Sequence, residues 1–184
     1  MLMTKKEDPR SIRSKKMFKH AVFSLLAENP SIADLTVQKI SNRAELNRTT
    51  FYLHYQDIND LLKQITDEII DELSNKVDDL IHMKDLSNHE QFVILLDFLY
   101  DHRKFIGVLF EMRKFENELF HLLKKLVATR RENAEKAVIK EYVDIDIKVA
   151  SMTGIIMWWL KDGIHFSSEY IARQMYLFQR PTKE

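Results

Sequence analysis

An all-α fold of about nine helices is the reading the sequence supports, and three observations carry it. Only 3 Gly and 3 Pro occur in 184 residues, too few for the turns of an all-β or doubly wound chain. Apolar residues recur at helical spacing along most of the sequence, and no window alternates as a strand would. Plausible caps and breakers fall between the periodic stretches.

The first nine residues are expected to be a disordered tail. From Arg10 to Glu28 the positions Ile12, Met17, Phe18, Ala21, Val22, Leu25 and Leu26 form one apolar face, with Arg13, Lys15, Lys16 and Lys19 crowding the N-terminal half. Asn29-Pro30 should end this helix, because the residue before proline avoids the α region. Thr36 then stands as an N-cap before Val37, Ile40 and Ala44, and Asn47 as the next cap, before Phe51. Asp57 opens a longer helix over 58–82 with the stripe Leu61, Leu62, Ile65, Ile69, Leu73, Val77 and Leu80.

Ser87-x-x-Glu90 is a capping box for a helix over 89–102 that carries Phe92, Leu95, Leu96 and Leu99. A short helix over 104–112 follows, then a long one over 116–142 with Leu119, Leu122, Leu123, Leu126 and Val127 inward. Asp144 or Asp146 starts the next, which runs through Leu160 and stops at Gly163. Ser167 or Ser168 caps the last, ending near Arg180-Pro181. No internal repeat or low-complexity segment interrupts this order.

Composition excludes several classes of function. With no Cys there is no disulfide, zinc ribbon or thiol nucleophile. The apolar runs 92–96 and 155–160 are far too short to span a membrane, and the polar N-terminus does not read as a secretory signal, so a cytoplasmic address is expected. Glu118-x-x-His121 has the spacing of a di-iron carboxylate helix, but its only companions, Asp79-x-x-His82 and Asp162-x-x-His165, lack the required glutamates. There is no His-Glu-x-x-His, no phosphate-binding glycine loop and no Gly-x-Ser-x-Gly elbow. No enzyme activity, metal or cofactor is expected.

The net charge of zero conceals a split. Residues 1–56 hold 10 Lys and Arg against 5 Asp and Glu, a net +5, and the remainder is −5. A basic N-terminal third suits contact with a polyanion. It coincides with the segment 36–55, two short helices around a tight turn. In such a pair the second helix enters the DNA major groove. Arg48 suits guanine O6 and N7, and Thr49 and Thr50 can donate, accept or touch a thymine methyl. Tyr52 and His54 are long enough for phosphate, and Thr36, Gln38, Lys39 and Asn47 border the same surface. Phe51 should point inward with Ile40 and Leu46.

Over residues 10–70 the chain resembles the DNA-binding domain of TetR/AcrR-type transcriptional regulators. The resemblance rests on Thr36-Val37-Gln38-Lys39-Ile40-Ser41, Ala44-Glu45-Leu46-Asn47, Thr50-Phe51-Tyr52-Leu53-His54-Tyr55 and Asp60-Leu61-Leu62. The run Trp158-Trp159-Leu160-Lys161-Asp162-Gly163 is similar to one before the last helix of some members. Two positions depart from the pattern: Glu45 replaces a turn glycine, and Ile58 stands where a phosphate-contacting lysine is common.

The resemblance implies a helix-turn-helix domain over 10–56 and an effector-binding and dimerisation domain over 57–184. It implies a homodimer on a pseudo-palindromic operator in double-stranded DNA, acting as a ligand-released repressor. An activator of the same fold, or a helical protein-interaction module that never meets DNA, is the alternative. The stretch 147–160 is apolar nearly all round and must be buried, against a partner or within the chain. Ile155, Ile156, Trp159, Ile171, Met175 and Phe178 are the interface candidates. Tyr100, Phe105, Phe110, His121 and Trp158 are the candidates for a pocket that takes an apolar or aromatic effector.

Overall fold

The computed structural model describes residues 8–82, 88–109, 113–134 and 143–178. These form α1 (Pro9–Glu28), a 3-10 turn η1 (Ile32–Asp34), α2 (Val37–Arg43), α3 (Arg48–His54), α4 (Ile58–His82), α5 (Asn88–Asp101), α6 (Arg103–Leu109), α7 (Arg113–Ala134), α8 (Ile145–Lys161) and α9 (Ser168–Phe178). The fold is all-α, with no strand among the described residues. No helix among them is long and apolar enough to cross a membrane. The chain divides into two compact units, residues 1–69 and 70–184, with the division inside α4.

In the first unit, α1 begins one residue earlier than its apolar face suggested. Pro9 occupies the first turn, where its missing N–H costs nothing, and the Asp8 carboxylate accepts from the Arg10 N–H at 2.9 Å. The helix ends at Asn29, whose backbone is extended ahead of Pro30. The turn η1 was not legible from periodicity, since three residues cannot display a period. Its Asp34 accepts from the Asn29 side chain at 2.6 Å. Phe18, Val22, Leu26, Ile40, Phe51, Tyr55, Leu61 and Ile65 are buried together as the core. Phe18 meets Phe51 edge-on at 5.5 Å and Tyr55 at 6.0 Å, the geometry aromatic quadrupoles favour. Three rings from α1, α3 and the residue after α3 thereby fix how α3 lies on α1.

The second unit is built from the remainder of α4 and from α5 to α9. Leu73, Val77 and Leu80 continue the stripe of α4; α5 packs with α9, and α7 with α8. Leu95, Leu96, Leu99, Leu119, Leu123, Leu126, Val149 and Ile156 are fully or almost fully buried. Asp144 caps α8, its carboxylate accepting from the N–H groups of Asp146 at 2.8 Å and Ile147 at 3.4 Å. Ser167 caps α9 through the Tyr170 N–H at 3.2 Å. Surface ion pairs join Lys125 to Asp78 and Lys124 to Asp146, both at 2.5 Å, and His89 to Glu169 at 2.8 Å. Residue 87 of the expected capping box, residues 110–112, the stretch 135–142 of the expected long helix and the chain beyond 178 lie outside the described residues.

Gly163 follows α8 with its N–H on the Trp158 carbonyl at 3.2 Å. Its role is space and not φ, because no described glycine has positive φ. A Cβ there would stand 2.9 Å from Trp158 Cη2.

Candidate DNA-binding site

The turn between α2 and α3 is set by hydrogen bonds that only one backbone conformation allows. The Glu45 N–H donates to Asn42 O at 3.1 Å and the Leu46 N–H to Ser41 O at 3.0 Å. This is the Schellman arrangement, which places the residue after the C-cap in the left-handed region. That residue is Glu45, at φ 54°, the one described non-glycine with positive φ. A side chain in that region costs on the order of 1 kcal/mol relative to the glycine common at this position.

Thr36 caps α2, its Oγ1 accepting from the Lys39 N–H at 3.2 Å. Asn47 has cap backbone angles before α3, yet its side chain makes no capping bond. Gln38 and Lys39 are exposed but tethered: Gln38 Nε2 donates to Asn42 Oδ1 at 2.7 Å, and Lys39 Nζ to Asp34 O at 3.0 Å. Arg48, Thr49 and Tyr52, the last 55% exposed, form one open face of α3, while Phe51 is fully buried behind it. Thr50 is half-buried. His54 is half-buried as well, its ring 6.4 Å from Phe18 and 6.1 Å from Tyr55. Its imidazole therefore packs on the aromatic core as well as facing water.

Two residues of this unit escaped the sequence reading. Leu53 lies on the same open face of α3 and is 75% exposed. Its signal was in plain view, an apolar residue four positions after Thr49 on a face otherwise polar. Arg43, at the end of α2, grips Glu28 at the end of α1 with two hydrogen bonds, at 2.7 and 2.8 Å, and also donates to Ser24 Oγ. Beside it, an open groove of about 630 Å³ between α1 and the turn carries Arg13, Lys16 and His20. At the start of α4, Asp57 accepts from the Asp60 N–H at 2.8 Å, and Asp60 accepts from the Gln56 N–H at 2.9 Å and Gln64 Nε2 at 3.1 Å. Those bonds, the Gln56 one first, hold the Asp60 carboxyl below the ordinary aspartate range.

In the second unit the residues expected for a pocket and for an interface differ widely in exposure. Phe105 is buried, and Tyr100 is half-buried and stacked on Trp159 at 5.6 Å. His121 is exposed on α7, and Trp158 is 47% exposed. Position 110 lies outside the described residues. Of the interface candidates, Ile156, Trp159, Ile171 and Met175 are buried within this chain and Ile155 is half-buried. The Phe178 side chain also falls outside the described positions. The reason is visible at Trp159, whose indole N–H donates to Phe166 O at 2.9 Å while its ring covers Tyr100. The open face of α8 is instead Ile147, Ala150, Gly154 and Trp158, spaced by three and four residues, and that of α9 runs through Tyr170, Arg173 and Leu177.

Two short helices held at a Schellman turn, with a polar face on the second, make the first unit a helix-turn-helix unit. Comparison with known proteins agrees. Residues 86–180, just over half of the chain, match the family TetR_C_8, described as "Transcriptional regulator C-terminal region". A curated relative, the uncharacterized HTH-type transcriptional regulator YxbF of Bacillus subtilis (strain 168), is 21% identical over 162 residues. The match covers 86% of this chain and 42% of that protein, so the chain spans about two fifths of that relative's length. Among solved structures, the dihydroxyacetone kinase operon activator DhaS is similar with a TM-score of 0.63 at 22% identity, covering 91% of this chain and 94% of that one. A transcriptional regulator of Aquifex aeolicus VF5 is similar with a TM-score of 0.69 at 15% identity, covering 90% and 96%. The chain belongs to the TetR family of transcriptional regulators.

Proposed function

We propose that this chain is a sequence-specific, DNA-binding repressor in the cytoplasm, acting as a homodimer on a pseudo-palindromic operator and released by a small apolar or aromatic effector. The observation that carries the reading is the open face of α3. Arg48, Thr49 and Tyr52 project from a helix whose opposite face is locked by Phe51 onto Phe18, so the reading side chains stand on a rigid mount. The cations of α1 and the groove beside Arg43 supply charge for phosphate contact.

For the dimer, the exposed stripes of α8 and α9 support an interface at Ile147, Gly154, Trp158, Tyr170 and Leu177, in place of the buried residues first expected. Gly154 has open space around it, which would let a partner helix approach closely. For the effector, Tyr100 and Phe105 are retained as contacts, whereas His121 and Trp158 are not. Activation is the second reading, favoured by the similarity to a solved operon activator.

Mobility shift of random-sequence duplexes across a salt series tests the core of the reading. Binding should weaken steeply as salt rises, because each phosphate contact releases counterions. Within a selected operator, Arg48→Ala should relax preference at one base pair per half-site, by about 1–3 kcal/mol. A chain with no salt-sensitive affinity for any duplex would instead be a protein-interaction module.

A further inference from the structure

We propose that Leu53 reads the 5-methyl group of a thymine in each operator half-site. The inference rests on α3 being the DNA-reading helix and goes beyond it by naming a base and the group on that base.

Leu53 has the most exposed large apolar side chain among the described residues, at 75%. The fold does not need it there. Ile40, Ala44, Phe51 and Tyr55 already form the buried side of the α2–α3 pair. Leu53 follows Thr49 by four residues and lies next to Tyr52, so it shares the face that carries Arg48 and Thr49. It cannot donate or accept a hydrogen bond, and it can neither pair with a phosphate nor read the donor and acceptor code of a base edge. The major groove offers one group that a leucine can recognise, the thymine C5 methyl. Arg48 and Thr49 would then read by hydrogen bonds and Leu53 by shape and apolar contact.

The test uses a change to the DNA that leaves every hydrogen-bonding group in place. An operator is first selected by the full chain from a random duplex pool. Each thymine is then replaced by deoxyuridine, symmetrically in both half-sites. Burial of one methyl corresponds to about a fourfold change in affinity, and two half-sites to about fifteenfold. One symmetric pair of positions should show that loss with the unaltered protein. Leu53→Ala should bind the thymine and deoxyuridine operators alike at that pair, with an unchanged melting temperature, while Arg48→Ala should keep the methyl sensitivity. A flat deoxyuridine scan overturns the inference and leaves the α3 reading standing, as does Leu53→Ala that retains the full sensitivity. A large fall in melting temperature for Leu53→Ala would show the leucine to be covered by its own chain, and overturns it too. Failure to select any duplex removes the DNA reading, and this inference with it.

Discussion

The Arg43 guanidinium holds both carboxylate oxygens of Glu28, tying the C-terminal end of α2 to that of α1. Arg43 holds the Glu28 carboxyl below the ordinary glutamate range, chiefly through these hydrogen bonds. A carboxylate with a lowered folded pKa contributes stability above its unfolded pKa and loses it as pH falls through the folded value. The melting temperature of the natural chain should therefore exceed that of Glu28→Gln at neutral pH. The two should converge as pH drops from about 5 to about 3. The difference is small because the pair is exposed. Arg43→Lys should not restore it, since lysine has no planar fork.

Glu45 sits at φ 54° in a turn that glycine fills without strain. Glu45→Gly should stabilise the chain by about 1 kcal/mol, the cost of a side chain in the left-handed region. A urea titration reads this as a higher midpoint at unchanged slope. A lower midpoint would mean that the Glu45 side chain contributes more than its backbone costs.

The two caps of the helix pair should respond differently to alanine. Thr36→Ala removes a bond to the Lys39 N–H and should cost about 1 kcal/mol. Asn47→Ala removes no capping bond and should cost far less. Hydrogen exchange at the Lys39 amide, accelerated only in the first variant, checks the assignment.

Gly163 and Trp158 form a tight contact that a double-mutant cycle can isolate. Gly163→Ala should destabilise by about 1–3 kcal/mol, as the added Cβ meets the indole. In a Trp158→Ala background the same change should cost less, leaving only the 3.2 Å approach to the Trp159 Cα. Additive losses would place the strain elsewhere.

Lys148 lies in the first turns of α8, half-buried. Burial first, then Arg131 and Arg130, push its ammonium pKa down. The folded state thus disfavours the charged lysine, a cost present below the folded pKa and relieved as pH rises past it toward the unfolded value. Lys148→Met should raise the melting temperature modestly at neutral pH, and the gain should shrink in alkaline buffer.

The amphipathic elements were legible because each buries one side. The stripe from Leu61 to Leu80 oriented α4, and Thr36, Asp57 and Asp144 marked starts that the structure keeps. The glutamate in a glycine position pointed to the strained turn. What failed was the direction of α8. A helix apolar on nearly every face has no stripe, so sequence alone could not show that Trp159 turns inward and Trp158 outward. Burial there depends on Tyr100 and Phe166, which are distant in sequence or belong to a loop. His121 is exposed for a related reason, since its neighbours Leu119 and Leu123 take the inner face of α7.

Trp158 and Trp159 are the only tryptophans in the chain, adjacent in sequence and opposite in surroundings. One indole is 47% exposed and the other fully buried, so the first should emit at longer wavelength than the second. An aqueous quencher such as iodide reaches Trp158 and spares Trp159. Association along α8 would shield the red-shifted emitter, whereas a molecule entering beside Tyr100 would alter the blue-shifted one. The protein thus carries two optical channels, one for each event expected of its second unit, without any added label.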